Sequence, residues 1–329
     1  MRPLRTAPLS SFLRRFSAHV HVHVLGMPIR VGHTANAGRG VFAVRDIDLG
    51  ELIHTADPVV AHPSLASLHK ACYFCLKGIR RSVSYTESAV AASATEGSPT
   101  FCSSTCEESA QVFYATEQQV DWSEFHEYCS NYGVRFPLIA KRLACMVISS
   151  GTSPNSLDIL SHVNLSNGIP ADWITERKLL YKALRSKAAG SLNLSFLTDD
   201  WYAGVLARLH INAFRIERVD QDDSEDILAA AAASILGESI LGSAVYVLPS
   251  MYNHDCDPNV DILWPDNASA NLVARRSIKS GRKSRKRISY TSFTPTAVVQ
   301  MSFRGCDLMP VLSKSVWCIF LGFGFGIYR

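Results

Sequence analysis

Residues 253–259 read Asn-His-Asp-Cys-Asp-Pro-Asn, a run that sets two amides, an imidazole and two carboxylates beside a turn-forming Pro. Side chains of this kind on a tight turn suit recognition of a small polar ligand. A second cluster consists of thiols. Cys72-x-x-Cys75 precedes Cys102-Ser103-Ser104-Thr105-Cys106, so two close pairs flank a stretch rich in Ser, Ala and Thr. Four thiolates complete the tetrahedral shell of a structural zinc. A thioredoxin-like pair at 72 and 75 lacks the surrounding βαβ pattern, and four unrelated core thiols leave the two knuckle spacings unexplained. Cys72, Cys75, Cys102 and Cys106 are therefore the expected metal ligands.

These groups need elements to hold them. Ala244-Val245-Tyr246-Val247-Leu248-Pro249 is apolar and β-branched enough for a buried strand, and Asp257-Pro258 is a turn signal, so the polar run lies between two strands. Far upstream, Gly38-Arg39-Gly40 leads into the alternating Val41, Ala43 and Ile47, Leu52 positions of further strands. Paired glycines let a backbone turn tightly and approach a ligand where a Cβ would collide, although Gly-x-Gly alone equally fits a hairpin. Pro137 at a first-turn position opens an apolar helix through Ile148 that carries the polar pair Lys141 and Arg142 on one side and reads as a buried helix. Thr198 is positioned to cap a second helix, with Asp199 and Asp200 at its positive end. Ser224–Leu236 reads as a third helix, and the acidic cluster before it as a solvated helix start. Cys145 falls on the apolar helix and reads as core.

With 329 residues and 47% hydrophobic content, the chain has material for a sizeable core. Nine cysteines without a cleavable secretory leader favour a reducing compartment, so the Asn-x-Ser sequons at Asn164, Asn193 and Asn267 are chance matches. From Met1 to Arg45 there is no Asp, Glu or Lys, while Arg2, Arg5, Arg14 and Arg15 are interspersed with Ser and Leu. That is the composition of an organellar transit peptide, with a basic arm touching nucleic-acid phosphates as the alternative. His19, His21 and His23 alternate along this segment and read as part of it. The basic run from Arg275 to Arg287 reads as a nuclear signal, a weak nucleic-acid contact or equally a solvated charged face. Compartment is thus open between nucleus and mitochondrion or plastid, and a net charge of +4 is too small to mark a nucleic-acid binder. Val316–Tyr328 is apolar but short of the ~20 residues of a membrane span, so no transmembrane segment is expected.

The 253–259 run resembles the signature Asn-His-Ser-Cys-x-Pro-Asn of SET-domain protein lysine methyltransferases, with Asp255 in the Ser place. Gly38-Arg39-Gly40-Val41-Phe42-Ala43, with the turn Asp48-Leu49-Gly50-Glu51, is similar to the opening of that domain. More than 200 residues separate the two elements, which points to a split SET domain of the SMYD-like or plant trithorax-related type. The thiol pairs resemble half of a MYND finger. His126 and Cys129 look like remnants of its second metal site, whose remaining cysteines are absent, so one zinc is expected.

The resemblance implies an α+β fold, a SET β-clip and pseudoknot core with an inserted zinc finger and helical subdomain. Its parts would be a basic leader at 1–28, the first SET part at 29–60, a zinc-binding insert at 61–130 and a helical insert at 131–240. The second SET part would follow at 241–290 and a divergent tail at 291–329. It also implies transfer of methyl from S-adenosylmethionine to lysine on a protein substrate of histone type. Backbone at Gly38, Arg39 and Gly40 would receive the methionine part of the cofactor, and Asn253 and His254 its amino and adenine ends. Asn212, in His-Ile-Asn-Ala-Phe-Arg-Ile, matches a segment beside the cofactor and equally reads as an ordinary helix-end amide. Tyr290 would be the catalytic tyrosine facing the lysine. Here the pattern departs from the family: after Ile278-Lys279-Ser280-Gly281 the expected Gly-Glu-Glu is replaced by a basic run, the spacing to Tyr290 is two residues too long, and the closing cysteines are missing. An even shift preserves strand faces and keeps Tyr290 pointing inward. A catalytically impaired SET protein acting as a zinc-containing scaffold is the alternative.

Overall fold

The computed structural model describes residues 22–23, 26–34, 38–79, 99–149, 151–187, 192–218, 240–255, 257–280 and 298–301. The chain divides into two units, one from residues 1–54, 251–263 and 272–329, the other from 55–250 and 264–271. Strands and helices are both well represented, so the fold is α+β, and no helix among the described residues is long and apolar enough to cross a membrane.

In the first unit β2 (Ile29–His33) pairs antiparallel with β3 (Arg39–Ala43), bringing Ile29 opposite Ala43 and Val31 opposite Val41. All four are buried, as the alternating apolar positions require. The sheet runs β1 (Val22–His23), β2, β3, β11 (Val298–Met301), β9 (Val260–Leu263), β10 (Ala270–Ala274) and β4 (Leu52–Ala56), with β8 (Asn253–His254) also paired to β11. Between β3 and β4, Gly50 takes φ +78 in the turn, where Glu51 Oε2 accepts from Asp48 N at 3.1 Å and Glu51 Oε1 accepts from Arg45 at 2.5 Å. Ile47 bridges Ile278 behind it. Strand β11 falls inside the segment expected to be a divergent tail, yet its backbone is antiparallel to β3 and parallel to β8 and β9. The tail therefore supplies an interior strand.

The second unit holds the antiparallel sheet β5 (Val60–Pro63), β7 (Ile240–Val245) and β6 (Ala213–Arg218), in the order β5-β7-β6. The apolar strand expected through Pro249 ends at Val245 and gives way to a 3-10 turn at Pro249–Met251. Pro249 has no N–H for a ladder, and the Tyr246 hydroxyl leaves the sheet to donate to Ala268 O at 2.6 Å. Five helices among the described residues pack around one core: α1 (Ser104–Glu117), α2 (Ser123–Asn131), α3 (Phe136–Ile148), α4 (Ala171–Lys187) and α5 (Asp199–Asn212). Thr198 caps α5 by accepting from Trp201 N, and Pro137 sits in the first turn of α3, both as the sequence signals require. Cys145 is fully buried in the core. The expected helix at Ser224–Leu236 lies outside the described residues.

On α3 the polar pair is not at the surface. Lys141 and Arg142 are 0% and 1% exposed, and Glu117 at the end of α1 lies 3.7 Å from Lys141 Nζ and 3.5 Å from Arg142 Nε. The Arg142 guanidinium lies between the rings of Tyr73 and Phe113, each 4.1 Å away, and donates to the carbonyls of Ala61 and Tyr73. Burial is the largest single influence on Lys141 and lowers its pKa, but Glu117 and Tyr73 together outweigh it and the net direction is upward. The pair is tolerated inside because it is ion-paired, hydrogen-bonded and covered by aromatic faces.

Candidate functional site

Two constellations stand out, one in each unit. In the first, Gly40 on β3 packs directly against Asn253: a Cβ at Gly40 would lie 2.7 Å from Asn253 Nδ2 and 2.8 Å from Thr34 Cγ2. Only hydrogen at position 40 lets the amide stay where it is. The two distant sequence elements thus meet at one point, which is the closeness a backbone-lined cradle for a small polar ligand requires. Gly38 takes φ +67 and its carbonyl accepts from Thr34 N at 2.7 Å, closing the loop ahead of β3. Arg39 is half-buried, and desolvation lowers its pKa.

The run after Asn253 is held at several points. Asp255 Oδ1 accepts from Asp257 N at 3.0 Å, a local turn that a Ser hydroxyl also makes, which explains why Asp is accommodated at this position. Arg276 donates to Asp257 Oδ2 at 2.7 Å and to Asp257 O at 2.8 Å, and Arg275 N to Asn259 O at 2.9 Å. On the preceding side, the buried Tyr252 hydroxyl lies 2.9 Å from His54 Nε2. Asn253 and His254 are half-buried, and their backbones pair with Gln300 and Met301.

The second constellation is the thiol cluster. The sulfurs of Cys72, Cys75, Cys102 and Cys106 all lie within 4.8 Å of one another, the one such group among the described residues. Leu76, at φ +62, turns the first knuckle so that its N–H reaches Cys72 O, and Tyr73 N donates to Thr100 O to join the two knuckles. Ser103 caps α1 by accepting from Cys106 N, placing Cys106 in the helix's first turn. Sulfur separations of 3.6 Å (Cys75–Cys102) and 3.5 Å (Cys102–Cys106) are close to the ~3.8 Å edge of a tetrahedron with Zn–S bonds of ~2.3 Å. Side-chain hydrogen bonding with Cys75 pushes the Cys72 thiol down to about 4, and the same interaction drives Cys75 up. One thiolate therefore opposes ionisation of its neighbour, and a divalent cation is what allows such a set to ionise together. The residues fit a structural zinc.

Asn212 ends α5 in the second unit, 3% exposed, where its amide donates to Ser161 O at 2.7 Å and Arg208 O at 2.8 Å. Cys129 is buried in the helical core, and His126 lies 3.4 Å from Lys141 Nζ with its pKa lowered to about 4, chiefly by desolvation. Neither belongs to the thiol cluster. Tyr290 lies outside the described residues. The His54–Tyr252 contact has no signal in the sequence, since its partners are 198 positions apart.

Comparison with known proteins gives a match to the SET domain over residues 38–283. Histone-lysine N-methyltransferase ATXR4 of Arabidopsis thaliana is 44% identical over 258 residues, covering 78% of this chain and 77% of that protein. A SET and MYND domain-containing protein of Dictyostelium discoideum is 26% identical over 76% of this chain and 72% of its own length. Histone-lysine N-methyltransferase SMYD3 of Mus musculus is 25% identical over 76% of this chain and 52% of its own length.

Proposed function

The chain belongs to the SET domain family, and on that premise we propose that it is an S-adenosylmethionine-dependent protein lysine N-methyltransferase acting on a histone-class substrate. The observation that carries this reading is the contact of Gly40 with Asn253, which joins the two motif halves of the domain at one point. S-adenosylmethionine, when bound, supplies an electrophilic methyl on a sulfonium centre. Backbone at Gly38, Arg39 and Gly40 would receive its methionine part, and Asn253 and His254 would hold its amino and adenine ends. Tyr290 is assigned to orient the substrate amine.

The chemistry asked of the protein is modest and geometric. A lysine with an ordinary pKa near 10.4 must arrive as the free amine before it can act as a nucleophile. Alignment then supplies up to roughly 7–11 kcal/mol of the barrier, so the fixed cradle matters more than any acid or base. Zinc at the four thiols is structural in this reading and takes no part in transfer. Calorimetric titration of the full zinc-loaded chain with S-adenosylmethionine tests the proposal, with one site per chain expected. Absence of saturable binding by folded protein would refute it.

A further inference from the structure

We propose that His54 is a positioning residue for the cofactor loop, acting through its contact with Tyr252. This rests on the S-adenosylmethionine reading above. Tyr252 is the residue immediately before Asn253, and it is 3% exposed; His54, on β4, is 5% exposed. The hydroxyl and Nε2 are 2.9 Å apart, and the rings lie 5.9 Å apart, tilted by 38°. Burial drives the Tyr252 phenol upward, so the hydroxyl keeps its proton and donates when the imidazole tautomer leaves Nε2 bare. The other end of the loop is held by Arg276 on Asp257, but those side chains are 49% and 80% exposed. Exposed pairs contribute little even when well aligned, whereas a buried hydrogen bond is expensive to break from one side. The His54–Tyr252 contact is therefore a stiffer anchor than the Arg276–Asp257 pair.

Its consequence for the cradle follows from the absence of slack at the next residue. The amide of Asn253 already lies where a single added carbon on Gly40 would collide, so a small drift of Tyr252 either presses the amide into β3 or opens a gap beside it. His54 touches no ligand in this scheme; it sets where Asn253 stands.

The test separates positioning from plain stabilisation. Wild type, Tyr252→Phe, His54→Leu and the double variant are titrated with S-adenosylmethionine by calorimetry, and their melting temperatures are measured. Each single change should raise the Kd at least tenfold with one site per folded chain retained. Replacing both partners by apolar groups removes the stranded hydroxyl and should raise melting temperature above that of His54→Leu alone. The Kd of the double variant should nevertheless stay at least tenfold raised. Should either single variant fail to fold, His54→Gln, which keeps a polar partner for the hydroxyl, should bind within threefold of wild type. Affinity that recovers together with melting temperature, or that never changes, overturns the positioning role. Failure of wild type itself to bind overturns the cofactor reading, and this proposal with it.

Discussion

Replacing Gly40 by Ala tests the cradle at its tightest point. The new Cβ would stand 2.7 Å from Asn253 Nδ2 and 2.8 Å from Thr34 Cγ2, whereas ordinary contact begins at 3.4 Å. The amide must therefore retreat by about 0.7 Å and the threonine methyl by about 0.6 Å, the differences between those distances. Overpacking of this size costs ~1–3 kcal/mol, and a displacement near 1 Å in a binding constellation can cost ~100-fold. If the strain is expressed at the ligand, S-adenosylmethionine affinity falls by ~5- to 150-fold at 1.4 kcal/mol per tenfold. Gly38→Ala is the natural comparison. Gly38 has φ +67, but a Cβ added there would meet nothing within 4 Å, so Ala costs ~1–2 kcal/mol of stability through its backbone without touching Asn253. Calorimetry beside thermal melts should show Gly40→Ala losing affinity and Gly38→Ala losing chiefly stability. Gly40→Ala binding like wild type would show that Asn253 does not need its observed place.

The thiol cluster should carry one zinc per chain, and Cys102→Ala should abolish stoichiometric metal and unfold the knuckles, because metal binding there is folding energy; metal analysis finding none or two in folded wild type would contradict this. Glu117→Ala strands Lys141 and Arg142 in the core and should cost ~3–5 kcal/mol in denaturant unfolding, while a loss under 1 kcal/mol would mean that water reaches the cluster. Glu176 is 3% exposed and desolvation raises its pKa from 4.5 to about 7, against a hydrogen bond from Tyr202 at 3.1 Å that lowers it. Its folded form holds a proton that the unfolded form has released, so this contribution is full below the unfolded pKa and declines as pH rises through about 7. Relative to Glu176→Gln, wild type should lose on the order of 2 kcal/mol between pH 4.5 and 8, and a pH-independent difference would remove the effect.

The 253–259 run and the thiol knuckles are readable because their information is local: residue type and spacing within a few positions determine a turn, a cap or a pair of ligands. Thr198 and Pro137 mark helix starts for the same reason. The charges on α3 read as a polar side because nothing near Lys141 and Arg142 in sequence announces Glu117, which approaches only when α1 packs on α3. His54 and Tyr252 likewise meet through tertiary pairing alone. Strand β11 is hidden by its setting: Val298 and Val299 are a short β-branched pair in an unfamiliar tail, and their partners β3, β8 and β9 come from remote segments. Asn212 supports two readings in sequence, and its two bonds to backbone carbonyls account for its amide hydrogens without a ligand.

Methyl transfer itself can be measured. The full zinc-loaded chain is incubated with S-adenosylmethionine carrying a deuterated methyl group, together with histones and separately with whole-cell extract, and modified lysines are identified by mass spectrometry. Labelled methyl is expected on lysine side chains, lost in Tyr290→Phe while cofactor affinity is retained. Saturable cofactor binding by wild type with no labelled lysine in either mixture would contradict it and leave a SET domain that serves as a scaffold.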